Sequence, residues 1–223
     1  MIATLLASLL GAAPAQPPCD AVFERLRGQG AIEAAFVAHV AFVRADPGDG
    51  QARWFLVDTG ANRSAIDKAL TDSLDLPDLG ETTVEGTAGV VQTATTRVER
   101  LILGASAVSL SPTVSDLSGL AGPEGGPVAG ILGTDVMGGR VVVLDFERHR
   151  LSFSGGAQDA QTAATCGRAV AMHDDNGIPR MAAEIDGRPV MLRYDSGAGI
   201  FDSPHLWVTC HRASSQGSWA TGQ

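Results

Sequence analysis

Lysine is all but missing from this chain: Lys68 is the single one among 16 basic residues, which face 25 acidic ones at a net charge of −9. No cluster of arginines reverses that balance locally, which disfavours a broad electrostatic footprint for nucleic acid or an anionic membrane. Aromatic residues make up only 5%, while glycine (27) and proline (11) are plentiful. That mixture suits short strands joined by tight turns rather than a helical bundle. His39, His149, His173, His205 and His211 are scattered, without a metal-binding partner at ligand spacing. The three cysteines do not have the spacing of a zinc site. A Gly-x-Ser-x-Gly elbow and a phosphate-binding loop are both lacking, which argues against a serine hydrolase or a nucleotide-binding enzyme. What is present is 44% hydrophobic residues over 223 positions, enough for one large domain or two small ones.

The first twenty residues read as an export signal. A short apolar stretch over 2–10 leads to Ala13-Pro14-Ala15, an Ala-x-Ala cleavage site. That stretch is too short to cross about 30 Å of hydrocarbon, so no membrane span is expected. Cleavage would leave residues 1–15 as signal peptide and a periplasmic or secreted mature protein. Export gives the cysteines meaning, since Cys19 and Cys166 flank the region 32–153 and a bridge could tie its two ends. Cys210 would then be left over; three unpaired small residues are the other reading.

Along the chain, 31–43 reads as a strand, Asp46-Pro47-Gly48-Asp49-Gly50 as a turn, and 53–57 as the returning strand. Residues 64–74 have helical spacing, with Ile66, Leu70 and Leu74 on one side. A glycine-containing hairpin is expected over 83–92, further strands over 93–103 and 107–114, and another hairpin over 141–146 and 150–153. The small, polar stretch 154–168 reads as a linker. After it, strands over 180–185 and 189–194 flank the Asp186-Gly187 hairpin signal.

Both halves arrive at one motif. Asp58-Thr59-Gly60-Ala61 follows the apolar run Trp54-Phe55-Leu56-Val57, and Asp195-Ser196-Gly197-Ala198 follows the second hairpin. A constant offset of 137 superposes them. Ile131-Leu132-Gly133 completes the pattern in the first half. A carboxylate at a strand-to-turn junction, followed by a hydroxyl residue and glycine, can be held rigidly and approached closely. In order and spacing, residues 32–153 resemble the retropepsin-like aspartic proteases, whose lobes carry Asp-Thr/Ser-Gly and a later pair of hydrophobics plus Gly.

The resemblance implies a mostly β fold: a retropepsin-like closed-barrel lobe over 32–153, after a short N-terminal segment 16–31, then a partial second lobe over 169–223. It implies Asp58 and Asp195 as catalytic carboxyls, braced by the loop residues Thr59, Gly60, Ala61, Ser196, Gly197 and Ala198. The hairpin over 83–92 becomes a flap over an extended polypeptide substrate. An aspartic endopeptidase needs no cofactor and no metal. Too few residues follow Asp195 for a second flap and a second hydrophobic-Gly strand, and the tail 209–223 lacks strand alternation. A truncated or frame-altered C-terminus is therefore expected, and a homodimeric site built from two copies of Asp58 is the alternative if the second lobe is incomplete. A non-catalytic peptide-binding module on the same fold, or a truncated inactive product, are the other readings. Asp174-Asp175-Asn176-Gly177 superficially suggests calcium but lacks the later Glu and reads as a turn.

Overall fold

A computed structural model describes residues 21, 24–25, 31–38, 40–86, 89–145, 149–154, 161, 168–198 and 218–221. Residues 1–15, expected as a signal peptide, together with Cys19, Cys166, Cys210 and nearly all of the expected linker 154–168, lie outside the described residues. The described chain is mostly β, with seventeen strands among the described residues and short α-helices at Lys68–Ser73 and Thr134–Met137.

Strand β1 (Ala31–Val37) turns at Ala38 into β2 (Val40–Asp46), so the single strand expected over 31–43 is two antiparallel strands. The break comes at Ala38, whose φ of 48° reverses the chain. Strand β3 (Arg53–Val57) returns along β2, pairing Val43 with Phe55 and Ala41 with Val57. These strands are apolar on both sides because they separate two clusters. Ala41, Val43, Ala45, Phe55 and Val57 face the main core, while Val40, Phe42 and Leu56 join a smaller cluster with Leu117 and Val128. A strand buried on both faces loses the usual alternation and reads as a continuous hydrophobic run.

Beyond the loop 58–64 come β4 (Ala65–Asp67) and helix α1 (Lys68–Ser73). Helical spacing suggested a start near Ser64, but 65–67 are drawn into the sheet and the helix begins after Asp67. That residue is the N-cap: its Oδ2 accepts from the Ala69 and Leu70 amides at 3.0 and 3.3 Å. Its Oδ1 accepts from the Leu117 amide at 3.0 Å, which ties a distant loop to the same carboxylate.

Strands β5 (Asp78–Gly86) and β6 (Gly89–Thr96) form a hairpin longer than the one expected over 83–92. Val90 and Val91 are 67% and 55% exposed; being successive they point to opposite faces, so both sides of the strand stand in solvent here. Strands β7 (Val98–Leu103), β8 (Ser106–Leu110) and β9 (Thr113–Ser115) follow, then β10 (Val128–Leu132) and helix α2 (Thr134–Met137). Strands β11 (Val141–Asp145) and β12 (Arg150–Ser154) form a hairpin whose second strand pairs with β1.

The expected closed barrel is not found. Among the described residues the main path runs β11-β12-β1-β2-β3-β10-β4-β9-β6-β5, with β7 and β8 branching from β2, and it does not return to its start. The β5/β6 hairpin carries one end of that path outward, its pairing interrupted by a register shift between Asp78 and Glu81.

The arrangement around β10 matters most for the site. This strand is parallel to β3 on one side and antiparallel to β4 on the other. The connection 58–64 therefore straddles the end of β10, next to Gly133.

Further on, β13 (Arg168–Ala171) pairs in parallel with β17 (Ser218–Thr221), so the tail 209–223 does contain a strand. Strands β14 (His173–Asp175), β15 (Ile178–Ile185) and β16 (Arg188–Arg193) form a separate antiparallel sheet. Asp186 and Gly187 both have positive φ (51° and 73°), the two-residue hairpin turn that the dipeptide announces.

Candidate active site

Asp58 sits just past β3, where its amide donates to the Leu132 carbonyl at 2.9 Å. Parallel pairing of β3 with β10 thus sets the carboxylate loop beside the hydrophobic-Gly motif. Asp195 sits just past β16, delivered by the second hairpin. The structure brings the two loops together within one chain.

Their contact is reciprocal. The Thr59 amide donates to Ser196 Oγ at 3.1 Å, and the Ser196 amide donates to Thr59 Oγ1 at 2.9 Å. Each hydroxyl also donates onward across the junction, Thr59 Oγ1 to the Tyr194 carbonyl at 2.8 Å and Ser196 Oγ to the Val57 carbonyl at 2.9 Å. Val57 and Tyr194 each precede an aspartate, so the bonding obeys the same repeat as the sequence. Both hydroxyl residues are buried, at 8% and 9% exposure. In such surroundings an unpaired hydroxyl or amide would be costly, so four mutual bonds lock the loops in one relative position.

The carboxyls are held in matching ways. The Gly60 amide donates to Asp58 Oδ1 at 2.7 Å; the Gly197 and Ala198 amides donate to Asp195 Oδ1 at 3.0 and 2.9 Å. Each carboxyl also lies against the other loop's glycine. A β-carbon at Gly60 would lie 2.7 Å from Asp195 Oδ1, and one at Gly197 would lie 2.6 Å from Asp58 Oδ1. Real side chains do not pack that tightly, so the motif needs glycine for closeness as well as for backbone shape.

Burial, and after it the facing Asp195 carboxyl, push the Asp58 carboxyl up to about 6 against the opposing pull of the Gly60 amide. Two carboxyls at this range disfavour double ionisation and tend to share one proton. The arrangement can hold one group protonated and one ionised near a common point.

Six of the eight motif residues, Asp58, Thr59, Gly60, Asp195, Ser196 and Gly197, make this contact; Ala198 only holds Asp195 within its own loop, and the Ala61 carbonyl accepts the Thr134 amide at 2.8 Å. Sequence reasoning missed the residues that hold the loop from outside. Ser64, wholly buried, donates its Oγ to Asp135 Oδ1 at 2.7 Å and its amide to Asp135 Oδ2 at 3.0 Å. Asn62 Nδ2 donates to the Asn176 carbonyl at 3.1 Å, joining the first loop to the β14–β15 turn. No local signal marks these partners, because each pair is far apart in sequence. Asp174, expected as a turn residue, accepts the Gly177 amide at 2.6 Å. Among the described residues, no group of three or more His, Cys, Asp or Glu is placed to hold a metal ion, and no helix is long and apolar enough to cross a membrane.

Residues 43–136 match the family model described as aspartyl protease. Among solved structures, a retropepsin-like aspartic protease from Rickettsia conorii is similar over 57% of this chain and 93% of its own, at 16% identity and a TM-score of 0.40. No curated protein matches the chain.

Proposed function

We propose that this chain, a member of the aspartyl protease family through its residues 43–136, hydrolyses peptide bonds with a water activated between Asp58 and Asp195. The observation that carries this reading is the reciprocal bonding of Thr59 and Ser196, which presents two carboxyls to one point from two loops. A turn aspartate with a purely structural role needs no such partner.

In this reading the ionised carboxyl takes a proton from water as its oxygen attacks the scissile carbonyl carbon. The protonated carboxyl hydrogen-bonds the carbonyl oxygen as charge develops there. The tetrahedral intermediate then breaks its C–N bond as a proton passes to nitrogen, releasing an acid and an amine. Burial and the facing carboxyl raise Asp58 to about 6, which favours its protonated form at mildly acidic pH. The reciprocal contact supports a site within one chain over one shared by two subunits.

The β5/β6 hairpin is the proposed flap, offering edge-strand hydrogen bonds and exposed valines to an extended polypeptide. The apolar start and Ala13-Pro14-Ala15 support export, with the mature enzyme periplasmic or secreted. Cleavage of an unstructured protein at mildly acidic pH, blocked by a statine-type peptide inhibitor, tests the reading. Activity should vanish in both Asp58→Asn and Asp195→Asn. Activity that survives Asp195→Asn would sink the intrachain site, and peptide binding without turnover in the wild type would sink the peptidase.

A further inference from the structure

We infer that Asp135 is a positioning residue for both aspartate loops, acting through Ser64 rather than by contact with substrate. The inference rests on the peptidase reading and adds to it a residue that the motif does not contain.

The loop 58–64 is moulded onto the segment 132–135 at four places. The Asp58 amide donates to the Leu132 carbonyl at 2.9 Å, and the Thr134 amide donates to the Ala61 carbonyl at 2.8 Å. The Gly133 amide donates to Ser64 Oγ at 3.0 Å. Both oxygens of the Asp135 carboxylate then clasp residue 64, one on its hydroxyl and one on its amide. Ser64 Oγ can donate only one hydrogen. Giving that hydrogen to Asp135 leaves its lone pairs free for Gly133, so the carboxylate sets the direction of the whole relay. Hydrogen bonds to an ionised acceptor are also stronger than neutral ones.

The fit leaves little slack. A β-carbon on Gly133 would lie 2.7 Å from the Arg63 carbonyl carbon and 2.8 Å from the Ala61 oxygen, so the loop lies flush on the motif. Release of Ser64 would let it lift. The effect would reach further than Asp58. Ser196 is anchored on Thr59 and Val57, either side of Asp58, so a shift of the first loop carries the Asp195 loop with it or breaks the contact. A displacement of about 1 Å can lower a rate roughly 100-fold when reacting groups must be aligned.

The test compares Asp135→Ala, Asp135→Asn and Ser64→Ala with wild type and Asp58→Asn. The readouts are kcat, KM and the pH at which activity falls on the basic side. Asp135→Ala and Ser64→Ala should each lower kcat roughly 10- to 100-fold, with KM little changed. Their double variant should be no worse than either alone. The basic limb should move down by roughly half a pH unit as the carboxyls part and repel less; simple loss of stability would leave it in place. Asp135→Asn, which keeps one acceptor oxygen, should lie between. Folded variants with wild-type kcat and an unmoved limb would overturn the inference. If Asp135→Ala does not fold, Asp135→Asn decides in the same way. A wild type without activity would instead overturn the peptidase reading, and Asp58→Asn marks that floor.

Discussion

Residues 31–154 and 168–198 carry the same loop motif in very different settings. In the first region the loop rises from a sheet buried on both faces, with Val57 and Leu132 wholly buried beneath it. In the second it rises from a three-stranded sheet whose residues are mostly half-buried or exposed, with Met191 50% exposed. The first loop is fixed by its own sheet, at Leu132, Gly133 and Asp135. The second is fixed by the first, through Thr59 and Val57. A local motif is enough to write a loop, but holding it still takes a neighbour with a core. Here one core serves both loops.

The largest effects should come from removing either side of the pair. Asp58→Asn and Asp195→Asn should each lower kcat by at least about 1,000-fold, because neither can complete the acid and base roles alone. Equal losses in steady-state cleavage would show that the two regions, unequal in packing, are equal in chemistry. Next come the glycines. Gly60→Ala and Gly197→Ala should each cost roughly 100-fold in kcat, since the added methyl meets the opposite carboxyl and parts the loops. Circular dichroism should show the β signal retained in both.

The hydroxyl contact should respond asymmetrically. Thr59→Ala and Ser196→Ala each strip an acceptor from the other loop's amide and leave a buried donor unpaired, a loss of about 1–3 kcal/mol. In Thr59→Ala that loss should appear as weaker protection of the 195–198 amides in hydrogen exchange, with the first region little affected. Ser196→Thr keeps every bond and should retain activity within about threefold.

The smallest effect concerns stability. The folded-state value for Asp58 is raised from 3.8 to about 6, so the native fold prefers the protonated form. The contribution is fully present below pH 3.8 and is lost as pH rises through 6. Asp58→Asn should therefore be more stable than wild type to denaturant at pH 7, by roughly 1–2 kcal/mol, and the gap should close toward pH 4.

Much of this was open to reading in the chain itself. Asp58 could be placed because an apolar run, a turn and glycine are adjacent in sequence, and Asp195 because a hairpin with a strong turn dipeptide precedes it. The repeat made their pairing an expectation, and the amide and hydroxyl bonds follow it residue for residue. What escaped depends on partners far away in sequence. Residues 64–67 have helical spacing, yet β10 and β9 on either side pull 65–67 into the sheet. The reversal at Ala38 has neither glycine nor proline to announce it. Barrel closure depends on where strand edges meet, which local patterns do not encode. Ser64 and Asp135 look like ordinary polar residues until the loop is laid across β10.

The account turns on two carboxyls within one chain that influence each other's protons. Carbon-13 NMR of the aspartate side chains, followed as pH is varied, tests this directly. In the wild type one carboxyl should titrate near 6, and Asp195→Asn should lower that midpoint while leaving it above the ordinary 3.8, because burial still acts on Asp58. A midpoint unmoved by Asp195→Asn would contradict the account.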